Sequence, residues 1–111
     1  MEEKKLGKIK SAKFGLLEDR QFLMGLQLEF EMEYTGCGDG GLFLFNISDR
    51  NENTKWSEQE RTDVVMENMN LLKEILTDSK VKTVNELIGK PVEVLLKNRC
   101  FQDFRILTEV L

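Results

Sequence analysis

Hydrophobic and polar residues alternate most regularly over residues 22–34. Every even position from Phe22 to Tyr34 is apolar, whereas Gln27 and three glutamates occupy the odd positions that follow it. A period of two residues is typical of a strand with one buried and one solvated face. The sequence therefore predicts a long, half-buried β-strand here.

The segments on either side of this strand have weaker patterns. From Leu6 to Phe14 the alternation changes parity near Ile9, which predicts a strand with a β-bulge or an exposed edge. Four glycines lie within the seven residues 35–41, so that segment is predicted to be a turn. Residues 42–47 follow as an apolar third strand, with both faces covered.

One amphipathic helix is predicted to begin at Ser57 and to end near Thr77. Residues 57–60, Ser-Glu-Gln-Glu, form a capping box that satisfies free N–H groups at a helix start. An apolar stripe at helical spacing is expected to pack on the sheet. It consists of Val65, Met69, Leu72 and Ile75 or Leu76, widened by Val64 and Leu71. The opposite face, expected in solvent, carries Glu67, Asn68, Asn70, Lys73 and Glu74.

The C-terminal third predicts one helical turn and a β-hairpin. A second capping box spans residues 83–86, and Gly89 and Pro91 prevent the helix from continuing. Val92–Leu96 and Phe104–Val110 then have the composition of strands, joined through residues 98–103. The predicted fold class is α+β, in which one main amphipathic helix packs on an antiparallel β-sheet that ends in a C-terminal β-hairpin.

Composition limits the classes of protein. A chain of 111 residues with 41% apolar and 32% charged residues suits a single domain over residues 1–111. A net charge of −4 argues against general nucleic-acid binding, and a lysine-rich stripe near the N-terminus is interpreted as a solvated strand face. No apolar run approaches the roughly 20 residues of a membrane span, and no signal peptide is recognisable. The chain is therefore expected in the cytoplasm, with Cys37 and Cys100 as free thiols.

Two motifs resemble ligand-binding sites, but each lacks residues that such a site needs. The glycine loop lacks a following Gly-Lys-Ser/Thr and precedes a strand, so a hairpin explains it better than a phosphate site. Oxygen-bearing side chains from Asp49 onwards, with Glu60, resemble a calcium loop. Thr54 stands where that loop needs glycine, so no metal and no other cofactor is predicted.

Catalytic chemistry is likewise weakly supported. The chain contains no histidine, and neither its serines nor its cysteines lie in a recognisable activated arrangement. A carboxylate pair brought together by the fold remains the alternative, since spatial pairing is invisible in a sequence. The prediction is that the protein is not an enzyme.

The candidate binding residues are an aromatic residue and three arginines. Trp56, the single tryptophan, stands immediately before the helix cap, with Arg50 and Arg61 nearby in the chain. It either plugs the core or, if partly exposed, stacks with guanidinium groups in a site for an anionic, nucleotide-like ligand or a protein hot spot. Arg105 on the last strand completes the predicted binding set.

Four stretches resemble a family of small phage and prophage proteins without an established activity. They are residues 8–15 (KIKSAKFG), residues 55–57 (KWS) with Arg61, residues 89–94 (GKPVEV) and residues 104–111 (FRILTEVL). The resemblance departs over residues 39–53. It implies a phage origin, a host-cytoplasmic setting and no catalytic residues. By association with how phages use compact acidic proteins, the leading hypothesis is a non-catalytic binder that interferes with a host process, with bacterial antiphage defence as the leading case.

Such a binder would block a host protein or sequester a nucleotide signal. The alternatives are a replication or structural accessory protein of the phage and a small enzyme that uses a carboxylate pair. We also expect a homo-oligomer, because residues 42–47 and the C-terminal strand carry apolar side chains on both faces. In that case these strands lie near the interface. The other possibility is that they occupy the centre of the monomer's own sheet.

Overall fold

The computed structural model describes residues 2–20, 22–41, 43–48 and 55–111. Its strands and one long helix are β1 (Glu2–Leu16), β2 (Leu23–Met32), β3 (Thr35–Gly38), β4 (Leu44–Asn46), α1 (Glu58–Asp78), β5 (Pro91–Lys97) and β6 (Cys100–Ile106). Short 3-10 turns are formed by Val84–Leu87 and Thr108–Val110.

The strands form one antiparallel sheet in the order β3-β2-β1-β5-β6. β4 also pairs with β2, at residues 23–25, whereas β3 pairs with residues 29–32. β1 is the central strand because its first half pairs with β5 and its second half with β2. The two ladders overlap at Gly7 and Lys8. With α1 packed on this sheet and a hairpin at the C-terminus, the predicted α+β class is confirmed.

The parity change in β1 is a β-bulge, as predicted. The register with β2 shifts between Ile9 and Ser11, so Lys10 is the extra residue. Ile9 and Ala12 are consequently both buried although they are an odd number of residues apart. The bulge allows one strand to present apolar side chains to the core along both of its halves.

The core lies on the concave face of a strongly curled sheet. The ring of Phe30 on β2 lies 5.4 Å from that of Phe101 and 4.9 Å from that of Phe104, both on β6. Since β1 and β5 separate β2 from β6 in the sheet, these contacts require the sheet to curl back on itself. Phe43 meets Phe104 edge-on at 6.0 Å and continues the aromatic cluster toward β4.

The first turn is not where the glycines predicted it. Thr35–Gly38 forms β3 and pairs with β2, and the chain reverses at Glu33 and Tyr34. Tyr34 has φ 65° and is 98% exposed, so it does not belong to the buried face, and Phe22 at the other end is exposed as well. Alternation cannot show where a strand ends, because a turn residue can continue the same pattern.

The third strand is shorter than predicted. β4 covers Leu44–Asn46, with Phe45 buried and Leu44 half-buried, and Leu42 lies outside the described residues. β4 pairs with β2 on one side. Full burial of both faces was therefore wrong, because an edge strand leaves Leu44 partly in solvent.

Helix α1 begins and ends where the sequence predicts. Ser57 is the N-cap, and the Glu60 backbone N–H donates to its hydroxyl at 3.0 Å. Asn68, which was predicted to lie on the solvent face, is buried. Its side-chain amide donates to the Val64 carbonyl at 2.9 Å, so this polar group has a hydrogen-bond partner within the helix. Val64, assigned to the apolar stripe, is exposed instead.

The C-terminal hairpin is tighter than predicted. Asn98 and Arg99 have φ 52° and 66°, as in a two-residue type I′ turn, so β6 begins at Cys100. It ends at Ile106, and residues 108–110 form a 3-10 turn where the sequence predicted strand. The second capping box is confirmed, since the Thr83 backbone N–H donates to the Glu86 carboxylate at 3.2 Å.

Two further features bear on the environment of the chain. Within the part of the chain that the structure describes, no helix is long and apolar enough to cross a membrane. Both cysteines are free; Cys100 is exposed, whereas Cys37 is half-buried and burial raises the pKa of its thiol.

An aromatic and arginine groove between β4 and α1

Two adjoining cavities lie between β4 and the first turns of α1. Their volumes are about 390 and 220 Å³, and Phe45, Asn46 and Arg61 line both. Ile47, Thr62, Val65 and Met66 complete the larger cavity, and Trp56, Glu60 and Val64 complete the smaller one. We call the two cavities together the Arg61 groove.

The helix cap places Trp56 against Arg61. With Ser57 as N-cap, Trp56 is the residue before the cap and Arg61 is the fourth residue of the helix. These are the two positions of a hydrophobic staple, in which the side chains on either side of a cap pack together. Here the Arg61 guanidinium lies 4.6 Å from the centre of the indole ring, so a cation–π contact replaces the usual apolar pair.

Hydrogen bonds fix the guanidinium in this position. Arg61 Nη1 donates to the Ser48 carbonyl at 2.6 Å, and Nη2 donates to both Glu58 carboxylate oxygens at 2.9 Å. The Asn46 side chain accepts hydrogen bonds from the Ser48 N–H and hydroxyl, at 2.8 and 2.6 Å. These hydrogen bonds orient the Ser48 carbonyl toward Arg61.

Electrostatics and exposure make the groove apolar in character. Glu58 offsets the charge of Arg61, and a second carboxylate, Glu60, lines the smaller cavity. Met66 is 54% exposed and Val64 is 44% exposed, and both are on the helix wall. The groove therefore offers a fixed aromatic surface between solvent-facing aliphatic side chains, and its cation is already paired.

The predicted binding set is only partly brought together. Trp56, which is half-buried, and Arg61 share the groove, whereas Arg50 lies outside the described residues. Arg105 is on β6, where its Nε donates to Glu93 at 3.1 Å and its two terminal nitrogens donate to Glu109 at 3.1 Å. These hydrogen bonds, that to Glu109 first, raise the pKa of Arg105 and lower the pKa of Glu109.

Arg105 belongs to a different cavity. That cavity, of about 480 Å³, lies between the last turns of α1 and β6, and its charged residues are Arg105, Glu74, Asp78 and Asp103. Because Arg105 is already bonded to Glu93 and Glu109, this second cavity is acidic. The structure therefore separates Arg105 from the aromatic site that the sequence assigned to it.

Sequence reasoning missed the walls of the groove. Phe45 and Ile47 come from the far side, and Val64 and Met66 from the helix. One signal was present, since residues 64–66 are three consecutive apolar residues and a helix packed on one side cannot bury all three. The positions of the β4 side chains required knowledge of the pairing between β4 and β2.

The described residues also bear on the metal and carboxylate chemistry that the sequence raised. No cluster of His, Cys, Asp or Glu that could hold a metal ion occurs among them, and the candidate calcium residues Asp49–Asn53 lie outside them. The carboxyls with lowered pKa, Glu86 beside the Thr83 hydroxyl and Glu109 beside Arg105, lie outside the groove. Each serves a local hydrogen bond.

Comparison with known proteins found no match. No protein-family model matches the sequence, and neither a curated protein nor a solved structure is significantly similar to it. The groove must therefore be interpreted from its own geometry.

Proposed function

We propose that this chain is a phage-encoded, non-catalytic binding protein that interferes with a host process, with antiphage defence as the leading case, by docking a host protein in the Arg61 groove. The phage setting rests on the resemblance of four stretches of the sequence. The binding mode rests on one observation, which is the exposure of Val64 and Met66 beside an immobilised Trp56–Arg61 pair.

These features are those of a protein-binding hot spot. Tryptophan and arginine are enriched among the residues that dominate binding energy, and they act from desolvated pockets surrounded by apolar contacts. Arg61 is held by two acceptors and a ring before any partner arrives, so little side-chain entropy is lost on binding. Cavities of about 220 and 390 Å³ on either side have room for apolar side chains of a partner.

Sequestration of a nucleotide fits this groove less well. A phosphate would have to displace Glu58 from Arg61, and Glu60 would remain as a second negative charge at the rim. The aliphatic wall formed by Val64 and Met66 has no complement on a phosphate. A protein surface with apolar side chains fits both the wall and the ring.

Site-specific photo-crosslinking tests this function. A benzophenone side chain at Met66 should capture one host protein in cells that express the chain, and the same probe at Ile88 is the matched control. Met66 and Ile88 are both 54% exposed, but Ile88 lies next to the 3-10 turn at residues 84–87, away from the groove lining.

The captured protein is then purified and its affinity is measured by calorimetry. We expect Met66→Asp and Trp56→Ala to weaken binding at least tenfold, about 1.4 kcal/mol, while circular dichroism remains native. If the same probes in phage-infected cells capture phage proteins alone, the accessory role is favoured. A co-purified nucleotide with no protein adduct would favour sequestration, and equal capture at Met66 and Ile88 would exclude the groove as the site.

A further inference from the structure

The central strand changes partner along its length, so each of its halves has one edge without a partner strand among the described residues. β5 pairs with β1 only as far as Pro91 opposite Lys8. The chain still bonds to Ile9, whose N–H donates to the Lys90 carbonyl at 3.0 Å and whose carbonyl accepts from the Gly89 N–H at 2.7 Å. Beyond Ile9, β1 pairs with β2 alone among the described strands.

The hydrogen-bond pattern shows which groups of β1 face that edge. The Leu17 N–H donates to the Leu23 carbonyl at 3.0 Å, so Leu17 points toward β2. Backbone groups alternate sides along a strand, and Ala12, Phe14 and Leu16 therefore point away from β2. Leu28, opposite Ala12, follows the same rule, since its N–H and carbonyl bond to Asp39 on the side away from β1.

No described residue forms a hydrogen bond with the backbone N–H or carbonyl of Ala12, Phe14 or Leu16 on the free side. The side chains of this segment are apolar on the concave face, where Phe14 is 38% and Leu16 is 53% exposed. Unpaired backbone groups beside exposed apolar side chains form a template for the addition of another strand.

The other described edges are less suited to pairing. The first half of β1 has no partner strand on the side away from β5 before Gly7, but it carries the charged side chains of residues 2–5, which discourage pairing. β6 carries Gln102, Asp103 and Arg105 and faces a register shift between Leu95 and Leu96, and charges and irregularities of this kind discourage pairing. β3 has four residues and β4 has three, which are too few for an extended ladder. The second half of β1 is therefore the edge best suited to an added strand.

We propose that a second copy of this chain pairs antiparallel with β1 along Ala12–Leu16. A two-fold axis at Phe14 would set Phe14 opposite Phe14 of the second copy and Ala12 opposite Leu16, so all the outward backbone groups of this segment would be bonded. On the convex face Lys13 would lie opposite Gly15, where no side chain competes for space and two lysines do not face each other. One sheet then continues across both chains.

This interface differs from the one expected from the apolar faces of residues 42–47 and the C-terminal strand. The strand edge, and not those faces, supplies the contact. Ala12, Phe14 and Leu16 do not line the Arg61 groove, although the Phe14 ring lies 6.5 Å from that of the groove residue Phe45. Leu16→Pro leaves both of these rings in place. Failure of dimerisation and failure of host-protein binding would therefore be distinguishable.

Two experiments test this pairing. Sedimentation equilibrium should give a dimer, twice the 12.9 kDa chain mass, at micromolar concentration. Leu16→Pro removes an N–H that no described residue accepts, and proline is tolerated at such an edge position. We expect this variant to keep native circular dichroism and to raise the dimer dissociation constant at least tenfold, whereas Leu16→Ala, which keeps the N–H, should have a smaller effect.

Disulfide trapping tests the register even if the proline variant does not fold. In a Cys37→Ser, Cys100→Ser background, Phe14→Cys should form an intermolecular disulfide, because facing residues of a hydrogen-bonded pair have Cα atoms about 5.5 Å apart. Lys13→Cys, which would face Gly15, should not. A wild-type chain that is monomeric throughout the micromolar range, or a dimer that Leu16→Pro leaves intact and Phe14→Cys does not trap, would overturn the pairing.

Discussion

The two ends of helix α1 differ in how completely the sheet covers their apolar side chains. At its C-terminal end the curled sheet brings β6 against β2, and Phe30, Phe101 and Phe104 close the core over Ile75. At its N-terminal end the short strand β4 leaves Val64 and Met66 partly in solvent beside Trp56. The first arrangement buries apolar area in the core, and the second leaves apolar area in solvent, where we propose that a partner binds.

Arg61 and Arg105, one near each end of the helix, differ in exposure and in the number of elements that they connect. Arg61 is largely covered, contacts a ring, a carbonyl and a carboxylate, and ties β4 to the helix. Arg105 is half exposed, and among the described residues it bonds to the carboxylates of Glu93, which is partly covered, and Glu109, which is half exposed. An arginine held by an aromatic ring and a partly buried carbonyl orders its surroundings, whereas an exposed ion pair contributes little because water competes for both charges.

The largest effect should come from the closed end. Phe30 is 1% exposed and contacts Phe101 and Phe104, so Phe30→Ala should lower the free energy of unfolding by about 3 to 5 kcal/mol through lost burial and a residual cavity. Met66→Ala, at the open end, should cost less than about 0.5 kcal/mol. Urea unfolding of both variants measures the contrast, and equal losses would show that the open end is also a structural core.

An intermediate effect should separate the two arginines. Arg61→Ala should lower the free energy of unfolding by about 1 to 2 kcal/mol, because it leaves the Ser48 carbonyl and Glu58 without their partner and uncovers Trp56. Arg105→Ala should produce a much smaller change. Urea midpoints decide between them, and Arg61→Lys, which keeps the charge, should recover only part of the loss because it cannot reproduce the stacked, forked geometry.

The sequence predicted these elements well where one local rule sufficed. Ser57 and Thr83 mark helix starts because capping involves only residues within one turn: the Ser57 hydroxyl accepts from the Glu60 N–H, and the Thr83 N–H donates to the Glu86 carboxylate. The first turn was predicted at the wrong residues, and the last one, inside the predicted connection of residues 98–103, is shorter than predicted. Tyr34, Asn98 and Arg99 adopt positive φ although none of them is glycine. Only the pairing of distant strands decides which residues must reverse the chain.

The candidate site, too, could be predicted from the sequence only where local rules apply. The contact between Trp56 and Arg61 follows from a cap and a helical spacing, so it could be predicted from the sequence. The separation of Arg105, and the contribution of Phe45 and Ile47, depend on sheet order, which the pattern of apolar residues does not encode. An exposed edge was one of the two alternatives for residues 6–14, but the sequence could not show which part of β1 is open, since that depends on β5 stopping opposite Lys8.

The smallest effect, a dependence on pH, should come from the exposed pair at the closed end. Hydrogen bonding to Arg105 holds the pKa of Glu109 below its usual value of 4.5, so the folded chain binds fewer protons than the unfolded chain when the pH lies between the two pKa values. The contribution is therefore present in full above the unfolded pKa and is lost as the pH falls through the folded pKa. The pKa of Glu86, lowered by a hydrogen bond to the Thr83 hydroxyl, acts in the same direction.

Urea midpoints of the wild type should fall as the pH is lowered from 6 toward about 3. Glu109→Gln should make that fall shallower while leaving Met66-dependent binding unchanged. An equally steep fall in Glu109→Gln would mean that the pair has no share in acid stability, and a lower affinity for the host protein would mean that the two ends of the helix are coupled.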